Sequence, residues 1–245
     1  MSKIIEVNDL ITEYNGERIL DGVSLSIDSG SIFAILGGSG CGKTTLLKHI
    51  IGLLYPVSGS IKIFGRETVG MEEKKFEQIL EKCGMLFQEG ALLNSLSVKE
   101  NIAIPLRQHT YLDEDIIQRV VRTKLHLVEL DYALNLYPSE LSGGMKKRVA
   151  MARAIAMDPK ILFCDEPSAG LDPVTTREID NLLNKLREQL DMTIVAVTHV
   201  IDSVRRIADE IVFLHDGQIL FTGSFEEATK SDIPQIKEFF QDQNI

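Results

Sequence analysis

The sequence has no uninterrupted apolar run of about 18 residues, the least that crosses a bilayer as a helix, so no segment reads as a transmembrane span. Cysteine is scarce. Cys41, Cys83 and Cys164 are an odd, scattered set without metal-ligand spacing, which excludes a disulfide-built secreted domain and suits a reducing compartment. Positive charge is also short: 26 Lys and Arg stand against 36 Asp and Glu, a formal net charge of −10. An acidic chain repels a phosphate backbone, so no nucleic-acid partner is expected. Glu6 and Asp9 come too early for a signal peptide. Internal repeats and low-complexity tracts are missing as well. What is present is 245 residues, 44% of them hydrophobic, enough for one domain, or one with an inserted lobe, around a sizeable core. The expectation is a soluble cytoplasmic globular protein.

Strand signals dominate the first third. Ile4, Ile5 and Val7 begin a strand, Asn15-Gly16 reads as a hairpin turn, and Val23, Leu25 and Ile27 alternate with polar residues. Ile32 to Leu36 is a continuous apolar run, the mark of a buried central strand. From Lys43 the period becomes helical, with Leu46, Leu47, Ile50 and Ile51 on one face and Gly52 as the stop. The middle, roughly 88–158, is helix-rich, with Ile116, Ile117, Val120, Val121, Leu125 and Val128 on one face. Strands at Ile161 to Cys164 and Thr193 to Val197 then alternate with helices at Ile179 to Leu190 and Ile201 to Ala208. Asp216-Gly217 turns a last hairpin. The tail from Ser224 reads as helical and polar, a candidate solvated appendage. Strand–helix alternation at both ends predicts an α/β sheet with a helical insertion.

Gly37-Gly38-Ser39-Gly40-Cys41-Gly42-Lys43-Thr44 matches G-x-x-x-x-G-K-S/T between an apolar strand and an amphipathic helix. Glycines let successive N–H groups converge on phosphate oxygens, and the helix N-terminus adds partial positive charge. Lys43 brings a full charge to the terminal phosphates, and Thr44 offers a hydroxyl to magnesium. Cys41 has no chemical step to perform. Helix N-termini lower thiol pKa, so Cys41 is expected to be the thiol that nucleotide protects. Ile161 to Glu166 is an apolar strand ending in two acids. Asp165 is placed to hold a metal shell, directly or through water, and Glu166 to orient or deprotonate an attacking water. Leu141-Ser142-Gly143-Gly144-Met145 opens a helix bearing Lys146, Lys147, Arg148 and Arg153. That start is an anion-binding nest or a plain serine cap, and the basic residues read as a solvated face.

The phosphate loop, Gln88, Leu141 to Met145, Cys164 to Pro167, Ser168-Ala169-Gly170-Leu171-Asp172 and His199 follow one another in that order. Over roughly residues 4–223 the chain resembles the nucleotide-binding subunit of ATP-binding-cassette (ABC) transporters. The resemblance implies a P-loop NTPase core of ABC-ATPase type with an antiparallel β subdomain and an inserted helical subdomain. The catalytic core would take about 1–87 and 159–223, the helical subdomain about 88–158, and the tail 224–245, in one domain spanning 1–245. It implies ATP and Mg2+ as cofactors, with Gly37, Gly38, Ser39, Gly40, Cys41, Gly42, Lys43, Thr44 and Thr45 around the phosphates and Tyr14 stacked on adenine. Thr44, Gln88 and Asp165 would face the metal, with Gln88 also contacting the attacking water. Glu166 would be the base and His199 would contact the γ-phosphate. Ser142, Gly143 and Gly144 would bind ATP held by the opposite subunit, and Asp172 would cross the dimer interface. Met145 and Val200 depart from the glutamine and aspartate common at those positions.

One cassette without a membrane segment implies a homodimer working with an integral membrane permease. The run Glu89 to Leu106 resembles the ATPases of lipid importers that work with MCE-domain proteins, including the bacterial system that maintains outer-membrane lipid asymmetry and its chloroplast relatives. Leu141 to Pro159 fits the same subfamily. The implied role is to energise transport of phospholipid or a related hydrophobic substrate from the cytoplasmic face of the inner membrane, possible partners including an MCE-domain lipid-binding protein. Ala91, Leu92 and Leu93 either dock a permease helix or belong to the core of the helical lobe. A soluble ABC ATPase acting as an assembly scaffold, as in iron–sulfur biogenesis, is the alternative. A small P-loop kinase fits poorly, because the Ser-Gly-Gly signature and the histidine have no task there.

Overall fold

Asn15 and Gly16 both adopt positive φ, 52° and 84°, as a tight two-residue hairpin turn requires. They join β1 (Lys3–Tyr14) to β2 (Glu17–Asp28). In the computed structural model, which describes residues 2–241, these strands are followed by β3 (Ile32–Leu36), α1 (Lys43–Ile50), β4 (Ser58–Ile63), β5 (Arg66–Glu67) and α2 (Glu73–Leu80). Then come β6 (Cys83–Leu86), α3 (Val98–His109), α4 (Glu114–Leu127), α5 (Gly143–Ala154), β7 (Ile161–Asp165) and α6 (Pro173–Leu190). The chain ends in β8 (Thr193–Val197), α7 (Ile201–Ile207), β9 (Glu210–His215), β10 (Gln218–Gly223), α8 (Phe225–Thr229) and α9 (Pro234–Gln241). The elements form two compact units, residues 2–80 with 193–241, and residues 81–192.

The first unit holds two sheets. One is antiparallel, in the order β2-β1-β4-β5. In the other, β3 pairs in parallel with both β8 and β9, and β10 returns antiparallel beside β9. All five residues of β3 and all five of β8 are buried, and apart from Thr193 at the start of β8 both runs are apolar throughout. α1 leaves the C-terminal side of β3 and buries Leu46, Leu47 and Ile50. His49 on the same face lies 2.6 Å from the Thr12 hydroxyl and 3.1 Å from the Leu54 carbonyl. The carbonyl can only accept, so Nδ1 donates to it and, in the neutral ring, Nε2 accepts from Thr12. That buried link fixes α1 against β1.

The second unit pairs β6 and β7 in parallel, with Leu86 opposite Cys164. α3, α4 and α5 pack on one another. On α4, Ile117, Val121 and Leu125 are buried while Ile116 is exposed, so the apolar stripe is narrower than the sequence alone indicates.

The C-terminal tail differs from its expected role as a solvated appendage. Ile236 and Phe240 are buried with Phe225, Val204 and Phe213 in one cluster on β3, β9 and α7. Phe239 meets Phe213 edge-on at 5.1 Å, and Phe240 meets Phe225 at 5.6 Å. Polar residues of α9 mask an apolar face at helical spacing, which is why composition alone suggested a solvated tail. Truncating Phe240 to Ala should therefore destabilise the protein by about 3–5 kcal/mol, the range for deleting a buried aromatic. Urea denaturation measures this, and an unchanged midpoint would mean the tail is undocked in solution.

Candidate functional site: a phosphate loop and a signature helix

In the first unit Gly37 has φ +148°, and a Cβ there would lie 2.1 Å from the Leu214 carbonyl oxygen and 2.7 Å from the Cys41 sulfur. Any other residue would have to push the loop off β9. Lys43 is buried and turns back over the loop, donating to Gly37 O at 2.9 Å and Gly38 O at 2.7 Å. An ammonium has three hydrogens; these two bonds and a longer, weaker one to Cys41 Sγ at 3.8 Å hold the charge over the loop, and the sulfur contact is the one a phosphate oxygen would replace. A cavity of about 150 Å³ is lined by Gly40, Gly42, Lys43, Thr44 and Thr45. The first turn of α1 carries no acidic residue, and the last carries Lys48 and His49. Nothing there neutralises the positive end of the helix dipole.

Cys41 corrects an expectation. Burial pushes its thiol pKa up, and the nearby Lys43 charge offsets that only in part. The thiol is buried in the phosphate loop, and its pKa is raised rather than lowered as the helix position alone suggested. Its reaction with alkylating reagents should be slow whether nucleotide is added or withheld. Tyr14 is exposed at the end of β1, and His199 is exposed just beyond β8.

In the second unit Gln88 is exposed two residues past β6, and Asp165 closes β7 half-buried, with Glu166 next to it. Glu166 has φ +50°. It precedes Pro167, which biases the residue before it toward extended backbone. A left-handed conformation costs a non-glycine residue about 1–2 kcal/mol, so its surroundings must impose it. The Glu166 carbonyl accepts from Lys147 Nζ at 3.0 Å and from Ala169 N–H at 3.3 Å. Lys147 also donates to the Gln88 carbonyl. Gln88 and Glu166 are thus joined through one buried lysine on α5.

Ser142 caps α5, its hydroxyl accepting from Met145 N–H at 3.2 Å. The hydroxyl hydrogen stays available to donate. Capping and phosphate contact are therefore compatible rather than exclusive uses of Ser142. Gly143 is exposed. A Cβ on Gly144 would lie 2.6 Å from Thr175 Cγ2, so glycine lets α5 approach α6. Thr175 in turn hydrogen-bonds Asp172, which caps α6 by accepting from Val174 N–H and Thr175 N–H at 3.0 and 3.1 Å. The signature residues and Asp172 are neighbours through Thr175. Hydrogen bonds from Thr175 hold the exposed Asp172 carboxyl below the usual carboxylate range. The first turn of α5, like that of α1, has no acidic residue, whereas α3 and α4 have Glu100, Glu114 and Asp115 there.

The roles of three residues of this unit escaped the sequence reading. Lys147 is buried, and burial pulls its ammonium pKa down. Arg153 donates to the Gly90 and Ala91 carbonyls, each at 2.7 Å. Asn101 is fully buried and bonds Leu93 N–H and the carbonyls of Leu93, Leu96 and Ser97. Together they hold the segment after Gln88. The available signal for Lys147 was its spacing from Gly144 and Met151, which places it on the buried stripe of α5. Leu93 is exposed, Leu92 half-buried and Ala91 exposed, so this run is not core.

A strand–loop–helix phosphate cradle and a serine-capped second helix opening on two glycines define a nucleotide-binding cassette. The ABC transporter family model matches residues 20–169, and the chain belongs to that family. It is 40% identical over its whole length to the probable ribonucleotide transport ATP-binding protein mkl of Mycobacterium bovis, covering 68% of that protein. It is 39% identical over 97% of its length to the intermembrane phospholipid transport system ATP-binding protein MlaF of Haemophilus influenzae, covering 90% of it. Among solved structures, the ATP-binding cassette MJ0796, a dimer in a post-hydrolysis state with ADP and Pi, superposes with a TM-score of 0.82 at 31% identity. That match covers 90% of this chain and 98% of the other. The chain is thus an ATP-binding, ATP-hydrolysing transporter subunit, and the soluble-scaffold alternative finds no support in these relatives. Among the described residues no helix is long and apolar enough to cross a membrane.

Replacing Lys43 with Ala should remove a charged donor to phosphate and weaken ATP binding by about 1.5–3 kcal/mol or more. Titration with ATP and Mg2+ measures it. Unchanged affinity together with unchanged turnover would place the phosphate site elsewhere.

Proposed function

We propose that this subunit, as a homodimer on the cytoplasmic face of the inner membrane, drives a permease that moves phospholipid or a related hydrophobic substrate, with an MCE-domain protein as a further partner. The likeness to a phospholipid-transport ATPase over nearly the whole chain carries this reading. The mkl relative is named for ribonucleotide transport, so the substrate has to be tested directly. In each composite site, one chain would supply Gly37 to Thr45, with Tyr14 on the base and His199 at the γ-phosphate. Ser142, Gly143 and Gly144 of the other chain would close over the nucleotide, with Asp172 at the interface. Thr44, Gln88 and Asp165 offer only oxygen donors of the kind Mg2+ selects, and Mg2+ would neutralise charge developing on the phosphates. Glu166 would take the proton of the attacking water.

Replacing Glu166 with Gln should keep ATP binding but slow hydrolysis by roughly 10²–10⁴-fold, the worth of a general base. With ATP trapped, light scattering should show a monomer becoming a dimer, and Ser142→Arg in the same protein should prevent the shift by filling the nest. A Glu166→Gln protein that binds ATP tightly yet remains monomeric refutes the composite site.

The exposed Leu93 supports the docking reading of the segment after Gln88. Leu93→Glu should abolish coupled transport of phospholipid in reconstituted vesicles while leaving basal ATPase activity within about twofold, since an exposed substitution costs little stability. Retained phospholipid movement counts against the interface. If the wild-type complex carries nucleotides and no lipid, the substrate reading fails.

A further inference from the structure

We propose that Lys147 is a positioning residue for ATP hydrolysis, its buried ammonium tying the Gln88 carbonyl to the Glu166 carbonyl and holding Glu166 in its left-handed backbone conformation. The proposal rests on the reading of Glu166 as the base. Three observations lead to it. The ammonium bonds two carbonyls from separate segments, one past β6 and one past β7, which no sequence motif pairs. β6 and β7 run parallel with Leu86 opposite Cys164, so Gln88 and Glu166 stand at matching positions beyond the strand ends, and one donor can serve both. Glu166 sits at φ +50° immediately before Pro167, against the local preference for extended backbone.

The Ala169 N–H, which also donates to the Glu166 carbonyl, is longer at 3.3 Å and neutral. The lysine bond is charge-assisted and therefore the stronger of the two. Releasing it lets the Glu166 backbone relax, and the carboxylate swings with it. Lys147 itself need touch neither nucleotide nor water for this. Because α5 begins at the signature residues Ser142 to Gly144, the same helix that would meet the second nucleotide also carries the lysine that sets Gln88 and Glu166.

The test is steady-state ATPase kinetics of the purified chain with saturating Mg2+, beside affinity for a non-hydrolysable ATP analogue and a thermal melt. Lys147→Met keeps the aliphatic stem and removes the donors. It should lower kcat by about tenfold or more, as expected once a left-handed residue is no longer held. KM and analogue affinity should stay within about twofold, because the phosphate loop is untouched. Lys147→Arg, which keeps the charge and can bond both carbonyls, should recover kcat to within about threefold of wild type. Wild-type kcat in Lys147→Met overturns the proposal. So does a folded Lys147→Arg as slow as Lys147→Met, or a loss confined to KM. If Lys147→Met does not fold, the shorter, uncharged Lys147→Gln replaces it with the same expectation, and failure of both to fold makes Lys147 a stability residue and overturns the proposal. Glu166→Gln is run in parallel. Wild-type turnover there takes down the base reading and this one with it, whereas an inactive Glu166→Gln beside a fully active Lys147→Met sinks only the positioning role.

Discussion

Backbone carbonyls that leave regular structure inside a protein must find donors, and that requirement organises the second unit. The segment from Gln88 to Ser97 is neither helix nor strand. Six of its carbonyls, those of Gln88, Gly90, Ala91, Leu93, Leu96 and Ser97, accept from the side chains of Lys147, Arg153 and Asn101. Those of them that are buried would, if unmet, cost about 1–3 kcal/mol of desolvation apiece. Met in this way, they make an irregular segment as determinate as a strand, with the side chain of Leu93 still turned to solvent. Burying Lys147 and Arg153 costs solvation, seen in the downward pull on both cations. The return is a defined loop.

The first unit meets a different demand with backbone and a single lysine. A chain of net charge −10 must attract a polyanion. It does so locally, by leaving the α1 N-terminus free of acidic side chains and by folding Lys43 onto Gly37 and Gly38. Close range matters more than total charge, because at physiological salt fields fade within about 8 Å. The Gly37 position against Leu214 fixes the loop to β9, so the loop shape is set by the sheet rather than by its own flexibility.

Legibility in the sequence followed from how local each determinant is. The Asn15-Gly16 turn, the buried β3 run and the phosphate loop are specified by residues within a few positions of one another, and they could be read directly. The docked tail could not, because Phe225, Ile236 and Phe240 find partners in Phe213 and Val204, upstream of the tail and not adjacent to it in the chain. The basic residues of α5 show the same limit more finely. Lys146 is exposed, Lys147 is buried, Arg148 pairs with Glu178 and Arg153 holds two carbonyls. As a string they look like one solvated face. Only the helical phase, combined with the place of β6 and β7, separates their uses.

Both departures from the family pattern fall at helix starts, and the structure limits what they change. At Met145 the contribution to the cap is a backbone N–H to Ser142, which any side chain leaves in place. At Val200 the N-cap of α7 has no side-chain oxygen, and Val200 N–H is met by the Thr198 hydroxyl at 3.1 Å. Asp202 in the first turn supplies the negative charge that an aspartate cap would have brought. The turn that carries His199 is thus stabilised from both flanks without the missing carboxylate. One negative charge fewer beside His199 also means less repulsion for the phosphate it is proposed to contact. If His199 contacts the γ-phosphate as proposed, Val200 would bear on the field there more than on the fold of α7, whose first turn is kept by the Thr198 hydroxyl and Asp202.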